Sequence, residues 1–262
     1  MKIDFIAQIE GVEKTMPIIK ASEYRHKWMI KMAQDYRKFG SLTQRGEYEN
    51  TSFAVKKDQR HTSKCPGIID YRNQGYIVRL HQDVKIDVLG DDEENYRWQV
   101  SLNDKAIGAK EEFVNHHGVG NLYPFYENWP KDTLKKILKV NMPWKVRIPK
   151  DHYLLMLHPF YLDDFRFTTC SGILDCDLGI GSIMVPMFWH TTKGEELIKA
   201  GTPIAQLILI PKDEIKHRNL NIVTDPKFKE DERISYLMLR QQFTVNYNKI
   251  KKFWKEHLRK NI

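Results

Sequence analysis

The sequence predicts a mainly β chain with a minor helical part, an α+β protein whose core is made of strands. Three observations carry this. Between Pro149 and Pro211, three apolar runs of about 5–8 residues, rich in Ile, Val and Leu, are punctuated by Gly and Pro, the pattern of buried strands joined by tight turns. Upstream, Tyr76–Val88 and Tyr96–Leu102 are rich in β-branched and aromatic residues and flank the acidic turn Asp91–Asn95, which reads as a hairpin. Helical periodicity is confined to the two ends.

Taken in order, residues 2–9 alternate Ile3, Phe5, Ala7 and Ile9 with mostly polar neighbours and read as a half-buried strand, not a signal peptide. A helix follows, with Ser22 as its cap, Trp28, Met32, Tyr36 and Phe39 on one stripe and Gly40 at its end. Residues 1–63 are read as this strand–helix annex. The core spans residues 64–215. Within it Ile68–Tyr71 reads as a strand turning at Asn73–Gly75 into the run Tyr76–Val88, and Lys131–Val140 as a short helix or strand entry ended by Pro143. Residues 216–262 are a linker and a tail. From Lys229 to Lys260 the tail carries Ile234, Leu237, Met238, Phe243, Tyr247, Ile250, Phe253, Trp254 and Leu258 at helical spacing, which predicts a long C-terminal helix with a basic end.

Composition bounds the function classes. Hydrophobic content of 41% with 29% charged residues is that of a globular protein, and no apolar run is long enough for a membrane helix. The three cysteines, Cys65, Cys170 and Cys176, form no Cys-x-x-Cys pair, which fits a reducing compartment and gives no zinc signature. The net charge of +8 admits an acidic protein or nucleic-acid partner, although a solvated lysine-rich surface has the same balance.

Two pieces of the central stretch carry a family likeness. Gly172-Ile-Leu-Asp-Cys-Asp-Leu178 and, after the intervening strand, Gly201-Thr-Pro-Ile-Ala-Gln206 stand in the order and spacing of two motifs of the deoxyuridine triphosphatase (dUTPase) and dCTP deaminase superfamily. The core therefore resembles that superfamily's β-clip fold. The resemblance implies a ligand site at Gly172, Asp175, Asp177 and Gln206, with Asp175 as its catalytic carboxylate. A glycine there lets a planar base approach the backbone, and a carboxylate can orient a water or a sugar hydroxyl.

The same stretch departs from the family. Leu178 stands where the base-stacking Tyr belongs, and Pro159-Phe-Tyr-Leu162 lacks the Arg and Ser that grip phosphate. Gly181-Ser-Ile-Met-Val-Pro186 has no deaminase-type Glu, and a basic tail replaces the glycine-rich arm. Phosphoryl chemistry needs several cationic and amide donors around the developing charge. A second likeness is to uncharacterised proteins of bacterial viruses, particularly those of marine cyanobacteria, and their bacterial relatives. Cys65-Pro66, Gly75-Tyr76, Pro149–Leu154, Gly172–Asp177 and Gly201–Pro203 occupy their places.

The sequence expectation is thus a non-catalytic binding or assembly protein, virus-encoded, acting in the host cytoplasm or the virion. It self-associates through the C-terminal helix and needs no cofactor. Two alternatives stay open. One is a nucleotide-handling hydrolase centred on Asp175, with Mg²⁺ and the carboxylates Asp163–Asp164 or Asp175 and Asp177. The other is an iron/2-oxoglutarate oxygenase. His81-Gln-Asp83, placed on a strand so that both side chains share a face, would join His158 as the facial metal set.

Overall fold

The computed structural model describes residues 2–27, 29–31, 34, 66–89, 96–101, 112–117, 129, 131–176 and 180–215. The chain divides into two compact units. One is Met1–Tyr24 with Asn73–Lys216, the other Arg25–Arg72 with His217–Ile262.

The first unit is built of antiparallel strands, and three sheets share one apolar core. The first sheet is organised by β7 (Ile137–Arg147), an eleven-residue strand. One of its edges pairs with β11 (Gly181–Trp189), which also pairs with β9 (Phe167–Thr169). The other edge is shared: β6 (Val114–His117) covers residues 137–140 and β1 (Asp4–Ala7) covers residues 144–147. Pro143 was expected to end this segment, yet the strand runs through it. Proline cannot donate to a ladder, and here the ladder makes room for it. The β7–β11 register shifts between Ser182 and Met184, opposite Pro143, and the Pro143 carbonyl accepts the Gln8 amide at 2.9 Å.

The second sheet has the order β10-β8-β13-β3-β2, formed by Gly172–Leu174, His152–Leu157, Pro203–Pro211, Tyr76–Arg79 and Ile19–Lys20. The third joins β12 (Gly194–Ile198), β4 (Val84–Val88) and β5 (Tyr96–Val100). The predicted β4–β5 hairpin is present, pairing Asp87 with Arg97.

The single run read over Tyr76–Val88 is two strands in two sheets. Its corner, Leu80–Asp83, lies against a second corner, Lys199–Thr202, where β12 hands over to β13. The Leu80 amide donates to the Thr202 carbonyl, and the Gly201 amide to the Leu80 carbonyl. Gly201 sits at φ 85, a left-handed turn that a side chain disfavours, and Pro203 opens the next strand. The Gly-Thr-Pro string therefore has an architectural reason.

In the second unit, Pro66–Arg72 is an α-helix. The strand expected over Ile68–Tyr71 is corrected by this. A four-residue apolar run does not distinguish strand from helix by period, and Pro66 at the first helical position favours the helix. Arg72 Nη1 donates to Met29 Sδ at 2.8 Å. Residues 27, 29–31 and 34 are helical, within the N-terminal helix read from Ser22. Ser22 itself belongs to a 3-10 turn, Ala21–Glu23, of the first unit. The stripe Trp28, Met32, Tyr36 and Phe39, the acidic turn Asp91–Asn95 and the long C-terminal helix lie outside the described residues. Mostly β with short helices is what the described chain is.

Candidate functional site

The sequence candidates fall in several places. Gly172 opens β10, an edge strand, and is exposed; a Cβ built there meets nothing within 4 Å. Asp175 follows β10. Its carboxylate takes both contacts from Lys212 Nζ, at 3.1 and 3.3 Å, and Lys212 lies 4.6 Å above the Tyr153 ring. Asp177 is outside the described residues.

Gln206 is 1% exposed on β13, and its Nε2 donates to the Gln74 carbonyl at 2.8 Å. That bond holds the turn leading into β3, since Gln206 pairs with Ile77 on one side and Leu157 on the other. Gly172 pairs with Met156 and Met156 with Leu207, so β8 stands between the glycine and the glutamine's strand.

His81 and Asp83 lie in the corner after β3, not on a strand as expected, because the run breaks at Leu80. The His81 ring packs edge-on against Phe113 at 5.0 Å. Asp83 bonds the Ala200 amide at 2.7 Å and Lys199 Nζ at 2.9 Å, and that backbone bond first, then the lysine, hold its carboxyl below the usual range. His158 follows β8 and bonds Thr169. Among the described residues no three His, Cys, Asp or Glu gather where they could hold a metal ion, so the structure does not bring His81, Asp83 and His158 together as one set.

The two described thiols, Cys170 and Cys176, are poor nucleophiles in their surroundings, and Cys65 lies outside the described residues. Burial pushes Cys170 up to about 11 and raises Cys176 as well, with Asp175 adding to the latter.

The densest polar arrangement was not legible in the sequence. It is built on the segment 158–169 and the end of β11. Asp164 takes a bidentate grip from Arg166, Nε to Oδ1 at 2.9 Å and Nη2 to Oδ2 at 2.6 Å. Arg166 Nη1 also donates to the Leu197 carbonyl at 2.6 Å and meets Glu196 at 3.5 Å, which ties the segment to β12. Burial works to raise the Asp164 carboxyl, but the Arg166 bonds outweigh it and hold it low.

Next to this pair, the Thr169 amide donates to His158 Nδ1 at 3.1 Å, and the Thr169 hydroxyl donates to the Ile204 carbonyl. His190 stands between two hydroxyls, Nδ1 to Thr133 at 2.9 Å and Nε2 to Thr168 at 2.8 Å. Burial lowers both imidazoles; for His158 the neighbouring His190 adds to this and Asp164 opposes it. Residues 11 to 57 apart in sequence make these contacts, so no local motif announces them. Exposed apolar side chains lie on the same segments: Phe165 is 83% exposed, Tyr161 and Leu197 are also exposed, and Tyr161 packs on Phe160 at 4.0 Å with φ 48.

No protein-family model matches the chain, and no curated protein matches it. Among solved structures it is similar to a mutant dUTPase from phage phi11 of S. aureus, at 11% identity and a TM-score of 0.32, over 65% of this chain and 90% of that one. It is likewise similar to a mutant dUTPase of Staphylococcus bacteriophage 80alpha, at 12% identity and a TM-score of 0.31, over 64% and 88%. At such scores the likeness carries no argument about chemistry.

Proposed function

We propose that this chain is a non-catalytic binding or assembly protein, virus-encoded, working in the host cytoplasm or as part of the virion. One observation carries the reading: Asp175 and Gln206, polar side chains that resemble a nucleotide site, are both engaged by neighbours within the protein. Asp175 is bridged by Lys212, and Gln206 holds the Gln74 carbonyl from a fully buried position. Asp83, of the other candidate set, closes the corner at Ala200. A group whose bonding is met within the fold gives a transition state little differential stabilisation.

The surface favours contact. Phe165, Tyr161, Leu197, Ile173 and Ile180 are large apolar side chains left in solvent. Self-association is assigned to the C-terminal segment, on the apolar spacing of residues 229–260. The basic balance suits an acidic protein or nucleic-acid partner. Among the described residues no helix is long and apolar enough to cross a membrane.

Light scattering at micromolar concentration tests the assembly half. An oligomer that reverts to monomer on removing residues 229–262 is expected; a monomeric full-length chain refutes self-association. A thermal shift with Fe²⁺ or Mn²⁺ plus 2-oxoglutarate tests the oxygenase alternative, since a ligand held by the native state raises Tm. The present reading predicts no shift.

A further inference from the structure

We propose that His158 is an acid-sensitive latch at the seam of two sheets: its neutral ring holds the backbone at Thr169, and protonation releases that strand end. This stands apart from the binding reading and rests on other atoms.

The seam is where the chain changes sheets. β9 ends at Thr169 in the first sheet, and β10 begins at Gly172 in the second. Thr169 is tied across by two bonds and a longer contact, its hydroxyl standing 3.4 Å from the His158 nitrogen that takes its amide. Its hydroxyl donates to Ile204 in β13, and its amide donates at 3.1 Å to Nδ1 of His158, the residue following β8. A backbone N–H can only donate, so Nδ1 must present its lone pair and the ring proton must sit on Nε2. An imidazolium carries N–H on both nitrogens. It would turn a donor against the amide donor, losing that bond and opposing like dipoles, and Nδ1–H would turn to the Thr169 hydroxyl, 3.4 Å away.

His190 is the internal contrast. Its partners are the Thr133 and Thr168 hydroxyls, which accept as well as donate. The Thr133 hydroxyl also donates to the Lys131 carbonyl at 3.3 Å, so it accepts from Nδ1–H. Thr168 is exposed, and turning its hydroxyl satisfies a protonated Nε2. A charge on His190 keeps both contacts; a charge on His158 breaks one.

The groups around His158 set when this happens. From its own segment, Asp164 favours the charged ring, but that carboxylate is already engaged by Arg166. From the end of β11, His190 opposes the charge. From β9 the neighbour is the Phe167 ring, edge-on at 5.9 Å and uncharged. Burial, the largest effect, also opposes it, so protonation comes below the ordinary imidazole range.

The test is amide exchange by NMR on the full chain, with protection at Thr169 corrected for intrinsic rates, from pH 7.5 to 5. Opening that takes up one proton rises by up to about tenfold per pH unit below the open-state pKa. The wild type is expected to lose protection on that slope. His158→Asn, whose Oδ1 accepts the same bond without titrating, is expected to lose the slope, while His190→Asn keeps it. Flat protection in the wild type, or the same slope in His158→Asn, overturns the latch. Should His158→Asn not fold, the wild-type ring decides through its nitrogen shifts. A proton on Nε2 at pH 7.5 with a midpoint below 6.5 supports the proposal, and a proton on Nδ1 overturns it.

Discussion

Asp175 and Gln206 differ most in what their loss should do. The Asp175–Lys212 pair is solvent-exposed on the carboxylate side, and such pairs contribute little after solvent screening. Asp175→Ala is expected to change urea unfolding by no more than about 0.5 kcal/mol. Gln206→Leu strips the buried donor from the Gln74 carbonyl and is expected to cost about 0.5–1.5 kcal/mol. Glycines separate in the same way. Gly172→Ala meets open space and should be neutral within about 0.5 kcal/mol. Gly75→Ala should cost at least about 2 kcal/mol, because Gly75 holds φ 71 and a Cβ there would run into the Leu207 carbonyl. Equilibrium urea curves with unchanged slopes check all four. The sequence presented Gly172, Asp175 and Gln206 as one motif pair. What separates them is which atoms each side chain meets across the sheet, and that is a property of register, not of residue type.

Strands were legible where the apolar pattern alternates or is bounded by turns. The β4–β5 hairpin, β8, β11 and β13 follow directly from it. The errors have physical causes. Ile68–Tyr71 was too short to show a period, and the helix won. Pro143 was taken as a terminator because a proline interrupts a ladder, but a register shift in β11 absorbs it. The break at Leu80 is written in bonds to Thr202 and Gly201, 120 residues downstream, so nothing local marks it.

At this scale the segment 158–166 depends on Arg166, which joins Asp164 to the edge strand β12. Asp164→Ala leaves a partly buried guanidinium short of its main partner and should cost about 2 kcal/mol. Because Leu197 receives the same arginine, the loss should appear as faster exchange in β12 as well as in the segment.

The whole molecule should lose stability in two acid steps. His158 and His190 are held below the ordinary imidazole value of 6.5, so below that value the unfolded chain binds more protons than the native one. Their contribution is complete above about pH 6.5 and is lost as pH falls toward the native values. Asp164, held below 3.8, contributes above that pH and is lost further down. Unfolding free energy against pH should therefore decline first below 6.5 and again below about 4. A flat profile from pH 7 to 5 would contradict the assignment of the two imidazoles.

The broad class, mostly β with short helices, was open to sequence reasoning because apolar pattern and turn chemistry are local signals, while the division into three sheets was not. The polar arrangement around Thr169 was not, since His158, Ile204 and Asp164 meet only after the sheets have formed. The reading of the molecule as a binder rather than an enzyme turns on Asp175 being dispensable for chemistry. The most direct test incubates the wild type and Asp175→Asn with a panel of nucleoside triphosphates, with and without Mg²⁺, and follows release of phosphate and pyrophosphate. Neither protein should turn over any nucleotide above the uncatalysed rate. Turnover by the wild type that Asp175→Asn abolishes would contradict the account.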